Sequence, residues 1–173
     1  MGWLQCNCTI LGDEQTREAI VIDPGDDPLE ILARLEKHGL TAKQIICTHT
    51  HIDHVGAICE LQERMEAPAA IHKADLFLFE KLDMQAQWIG MPMPKRGTIE
   101  HFVQDGDAVA CQGVEIGVIH TPGHTPGSSS FLRPTIISAP RSFMRTWFTI
   151  SKSASSCAST RSTRNPAAQR YRI

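Results

Sequence analysis

The sequence predicts an α/β domain built on a mixed sheet. Helix-like and strand-like patterns interleave through the first 132 residues. Hairpins frame both ends of that stretch, where strict β-α-β alternation would place none. The composition, 42% hydrophobic and 21% charged over 173 residues, is that of one globular domain.

The elements follow in order. Trp3 to Leu11 reads as a strand, Gly12 to Gln15 as a turn, and Glu18 to Ile22 as a second strand closed by Asp23-Pro24-Gly25. Asp27-Pro28 opens a helix that runs to His38, with Leu29, Ile31, Leu32 and Leu35 at helical spacing and Gly39 as its stop. Gln44 to Cys47 is a short buried strand, Val55 to Met65 a second helix, Ala69 to His72 a strand and Ala74 to Leu82 a third helix. Residues 84–98 hold Gly90, Pro92, Pro94 and Gly97 and read as a long loop; Trp88, Met91 and Met93 in it are candidates for a substrate mouth or for loop packing. Strands are expected near 99–103, 108–111, 114–120 and 128–132, with turns at Asp105-Gly106-Asp107 and Gln112-Gly113.

Charge divides the chain. All 19 acidic residues lie at or before Glu115, so residues 1–132, with nine Lys/Arg, carry a net of −10. Residues 133–173 carry eight Lys/Arg, no acid and a net of +8, crowded with Ser, Thr and Arg. Their only candidate element is the apolar patch Phe143 to Ile150. The expected organisation is a folded domain over 1–132 followed by an atypical basic tail over 133–173, disordered or read out of frame. The tail lacks interleaved aromatics, so nucleic acid is not expected as a partner. No apolar run approaches the ~18 residues of a membrane helix. The N-terminus lacks a signal-peptide pattern. Six cysteines form no C-x-x-C pair and read as reduced thiols. Together these predict a cytoplasmic address, and no feature sets an oligomeric state.

Thr48-His49-Thr50-His51-Ile52-Asp53-His54 is the strongest chemical signal. Imidazole and carboxylate are ligands that suit zinc or iron. His49 and His51 alternate by two, so an extended loop points both side chains the same way. Asp53 and His54 fall at a helix start and aim at a second position, which suits two adjacent metals better than one. The second signal is His120-Thr121-Pro122-Gly123-His124-Thr125-Pro126-Gly127-Ser128. Its prolines and glycines fix a tight loop with His124 at the tip, the distant histidine needed to close a three-imidazole site. His38 sits at a helix C-terminus, where a cation suits the dipole. His72, His101 and His120 read as strand residues, His120 also as a candidate to support the site.

H-x-H-x-D-H at 49–54 followed by T-P-G-H-T-P-G-S at 121–128 resembles the metallo-β-lactamase superfamily, in particular its glyoxalase II-like hydrolase branch. Asp23-Pro24-Gly25, Gly56, Ile71-His72 and Asp105-Gly106-Asp107 agree with it. The resemblance implies an αβ/βα sandwich, here incomplete at the C-terminus. It assigns His49, His51 and His124 to a first metal and Asp53 and His54 to a second, with Asp53 orienting a metal-bound hydroxide and able to take its proton. The implied substrate is a thioester or other small ester, and the implied cofactor zinc, two per chain in the intact family. The family's bridging aspartate and final histidine have no counterpart: no Asp follows Asp107 and no His follows His124. About one zinc and impaired activity are therefore expected. The alternatives are an iron-dependent persulfide dioxygenase-like oxidoreductase and a non-catalytic, degenerate metal-binding fragment.

Overall fold

The computed structural model describes residues 4–132 and the strand 145–150. β1 (Cys8–Asp13) and β2 (Glu18–Ile22) form the expected antiparallel hairpin, with Thr9 opposite Ile22 and Gly12 opposite Ala19. β1 starts later than the sequence suggested because the backbone turns at Leu4-Gln5, where Gln5 has φ 57°. It also ends later: Asp13 stays in the strand, its carbonyl accepts from Arg17 N at 2.9 Å, and its carboxylate accepts from the Gln15 and Thr16 amides.

α1 (Pro28–His38) has the predicted bounds. Asp27 caps it by accepting from Glu30 N, Pro28 occupies the first turn, and Gly39 ends it in the left-handed region at φ 60°. Ile31 and Leu35 face the core, whereas Leu29 is exposed. β3 (Thr41–Ile46) begins earlier than expected, since Thr41 already pairs with Glu18.

The expected helix from Val55 to Met65 is two helices, α2 (Ile52–Val55) and α3 (Ile58–Met65). The Asp23-Pro24-Gly25 turn causes the break: Gly25 N donates to the His54 carbonyl and Gly25 O accepts from Ala57 N. A Cβ on Gly56 would lie 3.2 Å from Gly25 O, so a larger residue would press on this close approach.

After β4 (Ala69–His72) the expected single helix is a 3-10 turn (Lys73–Asp75), α4 (Leu76–Phe79) and α5 (Leu82–Ile89). α5 therefore occupies much of the predicted loop. Leu82 and Ala86 bury against the core, the Gln85 side chain bonds to Ile52 N, Thr50 O and Leu78 O, and Gly90 ends the helix at φ 71°. β5 (His101–Val103), β6 (Ala108–Cys111), β7 (Val114–His120) and β8 (Ser129–Leu132) lie close to their predicted positions.

β9 (Arg145–Ile150) falls inside the apolar patch singled out after Arg133 and pairs antiparallel with β1. Residues 133–144 and 151–173, on which the rest of the tail reading falls, lie outside the described residues.

The large sheet runs β5-β4-β3-β2-β1-β9, and the small antiparallel sheet runs β6-β7-β8. β2 through β5 are parallel neighbours, as the helical crossovers require. Side-chain alternation divides the core. Ala19, Val21 and Ile45 meet Ile31, Leu35, Ile58 and Leu61 on the helical side. Ile20, Ile46 and Ala70 meet Val109, Val114, Ile116 and Val118 on the small sheet. Full burial of each Ile contributes roughly 1.5–3 kcal/mol. Among the described residues no helix is long and apolar enough to cross a membrane.

Candidate metal centre

Two loops meet where the two sheets come together. The first follows β3 and carries Thr48 to His51 into α2; the second follows β7 and carries residues 121–128 into β8. Ser129 N donates to the Thr48 carbonyl at 2.8 Å and stitches them together. The donor atoms of His49, His51 and His124 lie within 4.8 Å of one another, as do those of Cys6, Asp53 and His54. Every site residue proposed from the sequence thus lands in one of two groups. The groups touch through His49 and His54, whose ring centroids are 3.9 Å apart.

His51 Nδ1 lies 3.1 Å from His124 Nε2 across 73 residues of sequence. A tetrahedral site with metal–nitrogen bonds of ~2.05 Å has edges of ~3.3 Å, so this pair stands at ligand spacing. His49 is nine-tenths buried and its ring orientation is fixed. Thr48 Oγ1 donates its only proton to Asp23 Oδ2 at 2.8 Å, leaving it able only to accept from His49 Nδ1, 3.0 Å away. The proton therefore sits on Nδ1, and Nε2 keeps the lone pair a metal needs. The first group fits a divalent transition metal.

Burial, and then the neighbouring His54, lower the His49 pKa to about 4. Burial and His124 lower that of His51. Both rings are neutral at pH 7 and ready to coordinate. His54 goes the other way. Burial alone would lower it, but hydrogen bonds to Asp23 and Cys6 outweigh that and push it up to about 10. Asp23 Oδ2 is 3.2 Å from His54 Nδ1, Cys6 Sγ is 3.5 Å from the same nitrogen, and Asp53 Oδ2 is 3.5 Å from Nε2.

Three contributors escaped the sequence reading. Cys6 enters from the segment before β1. Asp23, which the sequence marks as a turn and family landmark but not as a site residue, is buried and bonds Thr48 N, Thr48 Oγ1 and His54. Asp75 is buried beneath both loops. No local pattern marks Cys6 or Asp75; the Asp-Pro-Gly turn following a buried strand was the available signal for Asp23. His120 donates from Nε2 to the Pro126 carbonyl at 2.8 Å and stacks on His72, so it braces the second loop. Met91 packs against the helical core, while Trp88 and Met93 are exposed.

The family model described as Metallo-beta-lactamase superfamily matches residues 1–135. The hydroxyacylglutathione hydrolase GloC of Haemophilus influenzae is 35% identical over 134 residues, covering 74% of this chain and 61% of that protein. A hydroxyacylglutathione hydrolase of Thermosynechococcus vestitus is 32% identical over 126 residues, covering 73% of this chain and 43% of that one. Among solved structures, TTHA1623 in a di-iron-bound form superimposes with a TM-score of 0.65 at 34% identity, covering 75% of this chain and 63% of its own. The chain spans less than two thirds of the length of these proteins. It belongs to the metallo-β-lactamase superfamily, with glyoxalase II-like hydrolases among its relatives.

Proposed function

We propose that the chain is a metal-dependent hydrolase of small esters or thioesters, with a hydroxyacylglutathione-like thioester as substrate class. The observation that carries this reading is the gathering of neutral His49 and His51 with His124, at ligand spacing, beside Asp53 and His54. The relatives named hydroxyacylglutathione hydrolase support the substrate class.

His49, His51 and His124 would hold the first metal; Asp53 and His54 would contribute to a second. When bound, such a metal polarises a carbonyl and lowers the pKa of a coordinated water toward neutrality. Asp53, whose side chain is 21% exposed, orients the attacking water and accepts its proton. A thioester suits this site because a thiol with pKa ~8.5 leaves readily as the thiolate. Zinc is the favoured metal for this donor set. The di-iron form of TTHA1623 supports iron as the second reading.

The first group, His49, His51 and His124, is expected to hold one zinc. The test is the zinc-loaded chain against a hydroxyacylglutathione, followed by loss of thioester absorbance, with His51→Ala as background. Hydrolysis no faster than that background would leave a non-catalytic metal binder. Oxygen consumption by the iron-loaded chain with a persulfide, and no thioester hydrolysis, would favour the dioxygenase alternative.

A further inference from the structure

We propose that Asp75 is the positioning residue that holds the two histidine-bearing loops in register and thereby sets the metal affinity of His49, His51 and His124. This rests on the metal-site reading above but not on the hydrolase activity.

The problem is geometric. His51 and His124 are 73 residues apart, on loops leaving different sheets, yet their ring nitrogens must hold ligand spacing. Asp75 comes from a third segment, the 3-10 turn between β4 and α4, and is fully buried. Its Oδ2 accepts from Thr50 N at 3.3 Å and from Thr125 Oγ1 at 2.7 Å. Its Oδ1 accepts from Gly127 N at 2.5 Å, and its backbone carbonyl accepts from Thr50 Oγ1 at 2.9 Å. Thr50 lies between His49 and His51; Thr125 follows His124. One carboxylate therefore fixes the immediate neighbours of all three histidines.

The chemistry requires a carboxylate. The side chain accepts from two amides and a hydroxyl, and only an acceptor-only group can satisfy all three at once. An asparagine would turn its NH2 toward Gly127 N or toward Thr50 N, setting donor against donor in a buried place. Space is matched as closely. A Cβ on Gly127 would lie 2.6 Å from Asp75 Cγ, so glycine lets the second loop close onto the carboxylate. Among the described residues the side-chain partners of Asp75 are N–H and O–H donors rather than a cation.

The experiment measures zinc affinity by competition with a chromogenic chelator, the visible spectrum of the cobalt-loaded protein, and the melting temperature of the metal-free protein. It uses the full chain and the Asp75→Asn, Thr125→Val and Gly127→Ala variants. Asp75→Asn is expected to weaken zinc binding ~10–100-fold, the range for groups that orient ligands, and to alter the cobalt spectrum. Thr125→Val removes one donor and Gly127→Ala displaces the loop without changing charge; each should weaken zinc binding in the same direction. Folded variants with wild-type zinc affinity and an unchanged cobalt spectrum overturn the proposal, even if the metal-free melting temperature falls, since that is what a purely structural role would give. If Asp75→Asn does not fold, Thr125→Val and Gly127→Ala decide by the same readout. A wild-type chain that binds zinc without hydrolysing thioesters defeats the hydrolase reading and leaves this one standing; one that binds no zinc overturns both.

Discussion

Asp23 Oδ2 stands 3.2 Å from His54 Nδ1, and the same oxygen accepts the Thr48 hydroxyl proton at 2.8 Å. One buried carboxylate thus acts on both candidate metal groups. Through Thr48 it sets the tautomer of His49, with the proton on Nδ1 and Nε2 free. Through direct contact it raises the pKa of His54 in the metal-free protein.

The first prediction concerns His54. Its folded pKa of about 10 is above the ordinary 6.5, so its contribution to stability is complete below pH 6.5 and is lost as pH rises through about 10. The metal-free protein should therefore melt at a lower temperature when taken from pH 7 to pH 10 through this group. Asp23→Asn should flatten that dependence and return His54 toward its usual range. Ring NMR of metal-free protein reads the titration directly; a midpoint near 6.5 in the wild type would contradict the assignment.

His49 gives the second prediction, with the opposite sign. Its folded pKa, about 4, lies below 6.5, so its stabilising contribution is full above pH 6.5 and is lost as pH falls toward 4. Proton competition at His49 should consequently be weak near pH 6. One zinc per chain should remain bound there, and His51→Ala should abolish that uptake. Elemental analysis checks both; loss of the zinc at pH 6, or uptake unaffected by His51→Ala, would contradict the reading.

The third prediction separates Asp53 from the first group. Asp53→Asn keeps the side chain's size but cannot accept a proton, so thioester hydrolysis should fall by ~10²–10⁴-fold. Zinc held by His49, His51 and His124 should stay at wild-type stoichiometry. Equal turnover in wild type and variant would remove Asp53 from the proton-transfer role.

The contrast between Asp53 and Asp75 explains how much of this site was legible in the sequence. His49, His51, Asp53 and His54 share one short loop and helix start, and spacing alone shows that they share a neighbourhood. His124 was visible because prolines and glycines flank it. Asp75 and Cys6 act only through contacts made by the finished fold: Asp75 reaches Gly127 across 52 residues and Cys6 reaches His54 across 48. The strands were legible from alternation and turn residues. α5 was not, because Gly90, Pro92 and Pro94 suggested a loop, while the gain from burying Leu82 and Ala86 and from the Gln85 bonds appears only once α2 is packed beside it.

The last prediction concerns β9. Its ladder with β1 runs from Cys8 opposite Ile150 to Asp13 opposite Arg145, and it makes β1 an interior strand. A chain ended after Leu132 would leave the β1 edge, with its row of backbone donors and acceptors, open to pair with another molecule. β1 is also one strand of the hairpin whose second strand, β2, leads into Asp23, which bonds Thr48 and His54, so loosening it should reach the candidate metal centre. The shortened chain is expected to lose at least ~1 kcal/mol, which corresponds to a melting temperature lower by ~2–4 °C for a domain of this size. It should also elute as higher oligomers at concentrations where the full chain does not. Scanning calorimetry and size-exclusion chromatography of the two chains side by side make the comparison. An unchanged melting temperature with an unchanged elution volume would show that β9 adds nothing to the stability of the sheet.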